Sequence, residues 1–160
     1  MSAKYELRDI LRIRNRRKDA AETALLKAKQ ALREAEQFLK EQQDKEADFI
    51  QKKPKFIQRI YELALEKVKF RRNYMDIIAF KLGKLDEHQM KLAVEVEKAH
   101  NKCNEAYEKV RECAQALTQA RKEMDKIEEH KKIWKEDMRR LDEFTQDKEL
   151  EDFKTKAHHE

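Results

Sequence analysis

Glu97 and His100 stand three residues apart, the helical spacing that puts a carboxylate and an imidazole on one face and supplies ligands in di-iron bundles. Such a centre takes two of these pairs, two more carboxylates and four inward-facing helices. This sequence offers one pair, and His100 follows Ala99, a residue of the apolar seam described below, so its ring falls on the solvent side. His130 reads the same way. His158 and His159, near the end of the chain, amount to an adventitious metal site at most. Cys103 and Cys113 lie ten residues apart on one helical stretch. A disulfide between them would break the helix, so they read as reduced core residues in a reducing compartment. One glycine in the whole chain leaves no Gly-rich phosphate loop, and Trp134 falls at a seam position, where its bulk fills space. The sequence therefore predicts no catalytic residue, no metal ligand and no cofactor.

Two other groups of residues could make contacts with partners. The opening stretch carries Arg8, Arg12, Arg14, Arg16, Arg17 and Lys18. It is either a solvated end complementing an acidic tail or an anchor for an acidic partner surface. The segment 56–82 is apolar around much of its circumference, more than one seam can bury. It sits in a basic block, so it is either a docking or self-association surface or a locally thicker core. The candidate partner-binding residues are Arg8, Arg12, Arg16 and Arg17 in the first group, and Phe70, Arg71, Arg72, Tyr74 and Phe80 in the second. The mixed-charge outer face of residues 85–160 reads as solvated.

The elements that carry these residues follow from composition. The 160 residues include one Gly and one Pro, 44% are charged and only 39% are apolar. A globule of this length needs more apolar bulk and more turn formers. Disorder is argued against by the dominance of helix formers and by apolar periodicity. No apolar run approaches the ~18 residues of a membrane span, and the Arg-rich start lacks the apolar stretch of a signal peptide. The expectation is a cytoplasmic protein. The net charge of +5 is divided into blocks: +5 over 1–18, −3 over 19–50, +7 over 51–84 and −4 over 85–160. Alternating blocks are unlike the single basic face of a nucleic-acid binder.

A seven-residue series runs Leu85, Leu92, Ala99, Ala106, Cys113, Ala120, Ile127, Trp134, Leu141. A second series, offset by four, runs Gln89, Val96, Cys103, Val110, Leu117, Met124, Lys131, Met138. The N-terminal half has its own pair: Leu11, Lys18, Leu25, Leu32, Leu39, Glu46, and Arg14, Ala21, Ala28, Ala35, Gln42, Phe49. Repeats of this length predict supercoiled helices. The fold class is thus all-α, a long two-helix antiparallel coiled-coil hairpin formed by residues 1–160 as a single unit. Two breakers compete for the turn. Pro54 could begin or kink a helix. Gly83, with Asp86 as N-cap, suits a helix end. Pairing favours Gly83, because it sets residue i beside about 167 − i, brings Leu25–Leu39 onto Ile127–Leu141 and puts the basic start near the acidic tail. The expected layout is helix 1 over about 3–82, kinked at Pro54, a turn at about 83–86 and helix 2 over about 87–155. Each arm would measure roughly 110 Å at about 1.5 Å per residue.

The opening Tyr5-Glu-Leu-Arg-Asp-Ile-Leu-Arg-Ile-Arg-Asn-Arg-Arg-Lys-Asp-Ala-Ala-Glu22, followed by an Ala/Leu/Gln heptad helix, resembles the YscO/FliJ family of type III secretion and flagellar export, and looks most like its chlamydial YscO-type branch. The length, basic start and acidic tail around Asp142–Asp152 fit as well. The resemblance implies a small non-enzymatic stalk and escort protein, a helical hairpin in the bacterial cytoplasm, peripheral to the base of the secretion apparatus. It implies protein partners: the hexameric secretion ATPase, an export-gate protein, secretion chaperones and, as a candidate, a needle-length regulator. No nucleic acid, no membrane insertion and no more than weak self-association are expected. Two other classes remain open at this point, a generic scaffolding or dimerising coiled coil and a membrane-surface helical module.

Overall fold

The computed structural model describes residues 5–66 and 72–157. Two helices account for nearly all of them: α1, Arg8–Leu65, and α2, Arg72–Ala157. They pack against each other as an all-α hairpin, with no strand among the described residues. The chain divides into two compact units, one of Leu26–Arg111 and one of Met1–Leu25 with Glu112–Glu160.

In the unit 26–111 the predicted seam is the observed one. Ala28, Leu32, Ala35, Leu39, Gln42, Glu46 and Phe49 of α1 are buried or half-buried, as are all eight predicted positions of α2 from Leu85 to Val110; the residues between them are exposed. Two of seven positions per helix is what a two-helix contact can cover. Small side chains sit at its tightest points, with Ala99 only 1% exposed. Ala31 and Phe38, one position short of the seam, are exposed, and the Lys102 ammonium lies 5.9 Å from the Phe38 ring centre.

Polar residues pin this unit's register. Lys53 occupies a seam position and its Nζ donates to Asp86 Oδ1 and to Gln89 Oε1, both at 2.6 Å. Phe49 meets His88 edge-on at 4.7 Å between ring centres. Together with Phe38 and Lys102, these pairs set residue i beside about 139 − i.

The turn expected at Gly83 is not there. α2 runs unbroken from Arg72 through Gly83, no glycine has a positive φ, and Asp86 accepts from Lys53 instead of capping a helix. Nor does α1 end at Pro54, which lies exposed inside it; on the solvent side its missing N–H and its ring disturb no seam contact. α1 ends at Leu65 and α2 begins at Arg72, and the sequence between them has neither Gly nor Pro. The physical reason for the error is a degeneracy. Moving the register from 167 − i to about 139 − i is a shift of about 28 residues, four whole heptads, so seam positions still face seam positions wherever both helices run.

Toward the connection the period changes. The buried and half-buried residues run Phe49, Lys53, Ile57, Ile60, Ala64 in α1 and Tyr74, Ile78, Leu82, Leu85 in α2, with Ile78 the most buried of them. Each helix thus contains two successive steps of four, a stutter that locally unwinds a coiled coil. It brings Ile57 to the seam and leaves Phe56 43% exposed.

The outer face is held by local pairs. The Lys84 and Lys91 ammonium groups hydrogen-bond the Glu87 carboxylate at 2.9 and 3.1 Å and hold its pKa down to about 2. All three side chains are exposed, so solvent screens the interaction.

Gly83→Ala tests the new register. No heavy atom lies within 4 Å of the position its Cβ would take, so alanine should stabilise the helix by about 0.5–1 kcal/mol and raise the circular-dichroism melting temperature. A loss of stability would put a turn back at Gly83. Leu32→Asp or Val110→Asp should cost roughly 2–3 kcal/mol, because a carboxylate loses water on the seam; unchanged melting would contradict the seam itself.

Candidate protein-docking surfaces

Within unit 26–111, Ile60, Leu63 and Ala64 of α1 and Tyr74, Ile77 and Ile78 of α2 line an open groove of about 420 Å³, with Glu66 and Lys81 also at its edge. The stutter explains it. Two successive steps of four turn the apolar stripe around each helix, so the facing surfaces splay slightly and cover only part of what the sequence makes apolar. Ile78 is buried at 5% exposure, while Ile77 remains 47% and Leu65 73% exposed.

The expected site residues separate here. Tyr74 is half-buried and lines the groove. Arg72 is exposed as the first residue of α2. Phe80 is 66% exposed, with the Lys84 ammonium 5.6 Å from its ring centre, and is not among the lining residues. Phe70 and Arg71 lie outside the described residues. Ile60, Leu63, Ala64 and Ile77 were not singled out as site residues, although the excess of apolar residues over one seam signals them; nothing in that pattern points to Lys81.

The second surface belongs to the unit of 1–25 and 112–160. Tyr5, just before α1, is buried against α2: its hydroxyl lies 2.8 Å from His130 Nδ1 and 3.4 Å from the Ile127 carbonyl oxygen, and its ring is 5.2 Å from Trp134. Its own carbonyl accepts the Arg8 N–H at 3.1 Å, so one aromatic residue both opens α1 and fastens it. Arg14, on the seam, donates through Nη1 to the Glu123 carbonyl at 2.7 Å, and Arg121 reaches Glu22 at 3.2 Å. The signal for the Tyr5 anchor in the sequence is a lone aromatic just ahead of a heptad helix.

These contacts correct the expected partner of the basic start. Arg8, Arg12, Arg16 and Arg17 are exposed and make no ion pair with a described residue; the first turn of α1 holds one acidic residue, Asp9. Tyr5 and Arg14 sit level with residues 123–134, not with the acidic tail. Arg8 and Arg12 edge a hollow of about 370 Å³ with Tyr5, Glu6 and Asp9. Arg8, in the first turn, opposes the helix dipole, while Arg12, Arg16 and Arg17 lie beyond its reach.

His100 is exposed, with Nδ1 3.2 Å from Asn104 Nδ2. Among the described residues no three His, Cys, Asp or Glu side chains gather as a metal site, and no helix is long and apolar enough to cross a membrane.

The architecture is that of a helical hairpin whose notable side chains face outward. The sequence model of type III secretion protein YscO matches residues 7–156, and the chain belongs to that family. It is therefore a component of type III secretion. No curated protein and no solved structure matches it.

Tyr5→Ala should shift the emission of Trp134, the sole tryptophan, to longer wavelength while leaving far-UV helicity nearly intact, because the change frees one end of one helix. Tyr5→Phe keeps the ring contact and should shift emission less. Equal spectra for all three chains would remove the clasp.

Proposed function

We propose that this YscO-family chain is a non-enzymatic stalk and escort that binds the hexameric export ATPase, secretion chaperones and the export-gate protein, with a needle-length regulator as a further candidate partner, from the cytoplasmic side of the apparatus. The observation that carries the reading is the extent of the family match, 7–156. It runs through both helices, so the hairpin as a whole is the unit that the family shares. Two features support the binding role: the apolar groove beside the connection and the unpaired arginines that open α1.

The proposed mechanism needs no chemistry. A hairpin that contacts different conformations of a ring unequally shifts their populations by the difference in contact energy. Exposed arginines suit such work, since rim charges speed and orient association while adding little affinity. Arg8, Arg12, Arg16 and Arg17 would meet an acidic partner surface, and Arg72, Tyr74 and Phe80 would frame the apolar contact.

The test titrates the purified chain onto the secretion ATPase of the same organism and probes lysates for chaperone capture. A change in ATPase activity or assembly, with co-purification of a chaperone, is expected. No effect at any ratio and no co-purification would remove the proposal, and a stable homodimer without effect on the ATPase would favour a scaffold. Leu65→Ser with Phe80→Ser should leave helicity unchanged, since both side chains are mostly exposed, and weaken partner binding at least ~10-fold. Replacing the four arginines by Glu should slow association most at low salt.

A further inference from the structure

Past Met138 every residue of α2 from 139 to 155 is exposed, and no described residue of α1 covers it. Glu143, Asp147 and Glu151 recur there every four residues, with Arg140 three before the first. Steps of three and four keep all four on one face of the helix. The start of α1 repeats those spacings with Arg8, Arg12, Arg16 and Asp19, again on one exposed face. Laid antiparallel, the two faces are charge complements. Arg8 meets Glu151, Arg12 meets Asp147, Arg16 meets Glu143 and Asp19 meets Arg140, residue i beside 159 − i. Asp9, beside the arginines, falls opposite Leu150, and Lys154 lies past the last pair.

The two ladders cannot meet within one chain. Tyr5 on His130 and Trp134, with Arg14 on the Glu123 carbonyl, fixes the start of α1 alongside 123–134. Glu143, the nearest acid of the ladder, is then about 20 Å beyond Arg8 at about 1.5 Å per residue. Nor are these charges spent locally. Arg8, Arg12, Arg16, Arg140, Asp147 and Glu151 make no ion pair with a described residue. Glu143 meets Arg139 at 3.5 Å and Asp19 meets Lys18 at 3.9 Å, long surface contacts that contribute little.

We infer that two copies pair through these faces, the α2 tail of each lying antiparallel along the α1 start of the other. One twofold axis makes both contacts at once, so the association closes at two chains. Phe144 and Leu150 flank the acids at 56 and 59% exposure, and Ile13 flanks the arginines at 49%, which gives each contact apolar edges. A uniformly acidic partner would leave Asp19 facing like charge. The change of sign at the fourth position of both ladders therefore favours this occupant. The inference rests on reading the arginines as a contact surface, and a docked tail would compete there with an acidic secretion partner.

Sedimentation velocity of the full chain over a concentration series, at low and high salt, reads the outcome. The mass should rise with concentration from the 19.4 kDa of one chain toward twice that value and no further, and fall back with salt. Reversing the start (Arg8→Glu, Arg12→Glu and Arg16→Glu) or the tail (Glu143→Lys, Asp147→Lys and Glu151→Lys) should weaken association at least ~10-fold at low salt. Helicity should not change, because all six side chains are exposed. Mixing the two variants in equal amounts should restore a dimer, as should both reversals in one chain, since every pair again has opposite signs. A single-chain mass at every concentration, growth past two chains, association indifferent to either reversal, or a mixture that stays dissociated would each overturn the inference. If the unaltered chain stays single while the start reversal abolishes its effect on the secretion ATPase, the arginines serve a partner and only this inference falls.

Discussion

A contact between two helices covers two positions in seven on each, and the rest of this protein follows from that limit. No large side chain among the described residues is fully buried. The seam is therefore a sum of many half-buried contacts, each contributing less than the ~1.5–3 kcal/mol of a completely buried apolar side chain. Alanines at the tightest positions, Ala28 and Ala99, let the backbones approach and raise the contact among their neighbours. An apolar residue outside the seam has nowhere to go. Phe80, Met90, Leu26 and Phe153 are exposed for that reason, and a hairpin that carries many of them has surface to offer.

Since apolar residues repeat every seven positions, they hold the helices together without deciding which heptad meets which. The polar contacts decide it. Lys53 finds two acceptors across the seam, Asp86 and Gln89, and a shift by one heptad would leave an ammonium at a seam position without them. Arg14 on the Glu123 carbonyl and Tyr5 on His130 act alike in the other unit. Such pins contribute modestly to stability, but they penalise the alternatives, which is how a polar group on a coiled-coil seam specifies register.

Fold class and seam were legible in the sequence because both are written in periodicity. All the seam positions assigned in 85–138 are buried or half-buried; Leu141 is the exception, since α1 starts too late to reach it. The turn was not legible. Its location is not marked by Gly or Pro, and the one glycine sits on an exposed helical face where no neighbour lies within 4 Å of its missing Cβ. Breakers reveal a turn only where the turn needs their conformational freedom, and the lone Gly and Pro here both lie inside helices. The candidate site was legible in part. The excess of apolar residues in 56–82 showed that something there must be exposed, but choosing Tyr74 and Ile77 for the groove depends on the change of step near Lys53 and Ile78. A stutter of that kind is visible only when both helices are in register.

The placement of charge carries the argument further than its amount. Arg8 in the first turn of α1 and Arg12, Arg16 and Arg17 after it make no ion pair with a described residue, whereas Glu87 is clasped by two lysines. If stability had been the only demand, acids would open α1 and the arginines would sit at its end. The arrangement runs the other way at the start of α1 while the mid-helix faces follow the ordinary i, i+3 and i, i+4 rules. The departure is confined to the start of α1. At the other end of the sequence, α2 continues past Met138 for several turns whose described residues are all exposed, held by local pairs such as Arg139 with Glu143 and Lys148 over Phe144, and no described residue of α1 covers them.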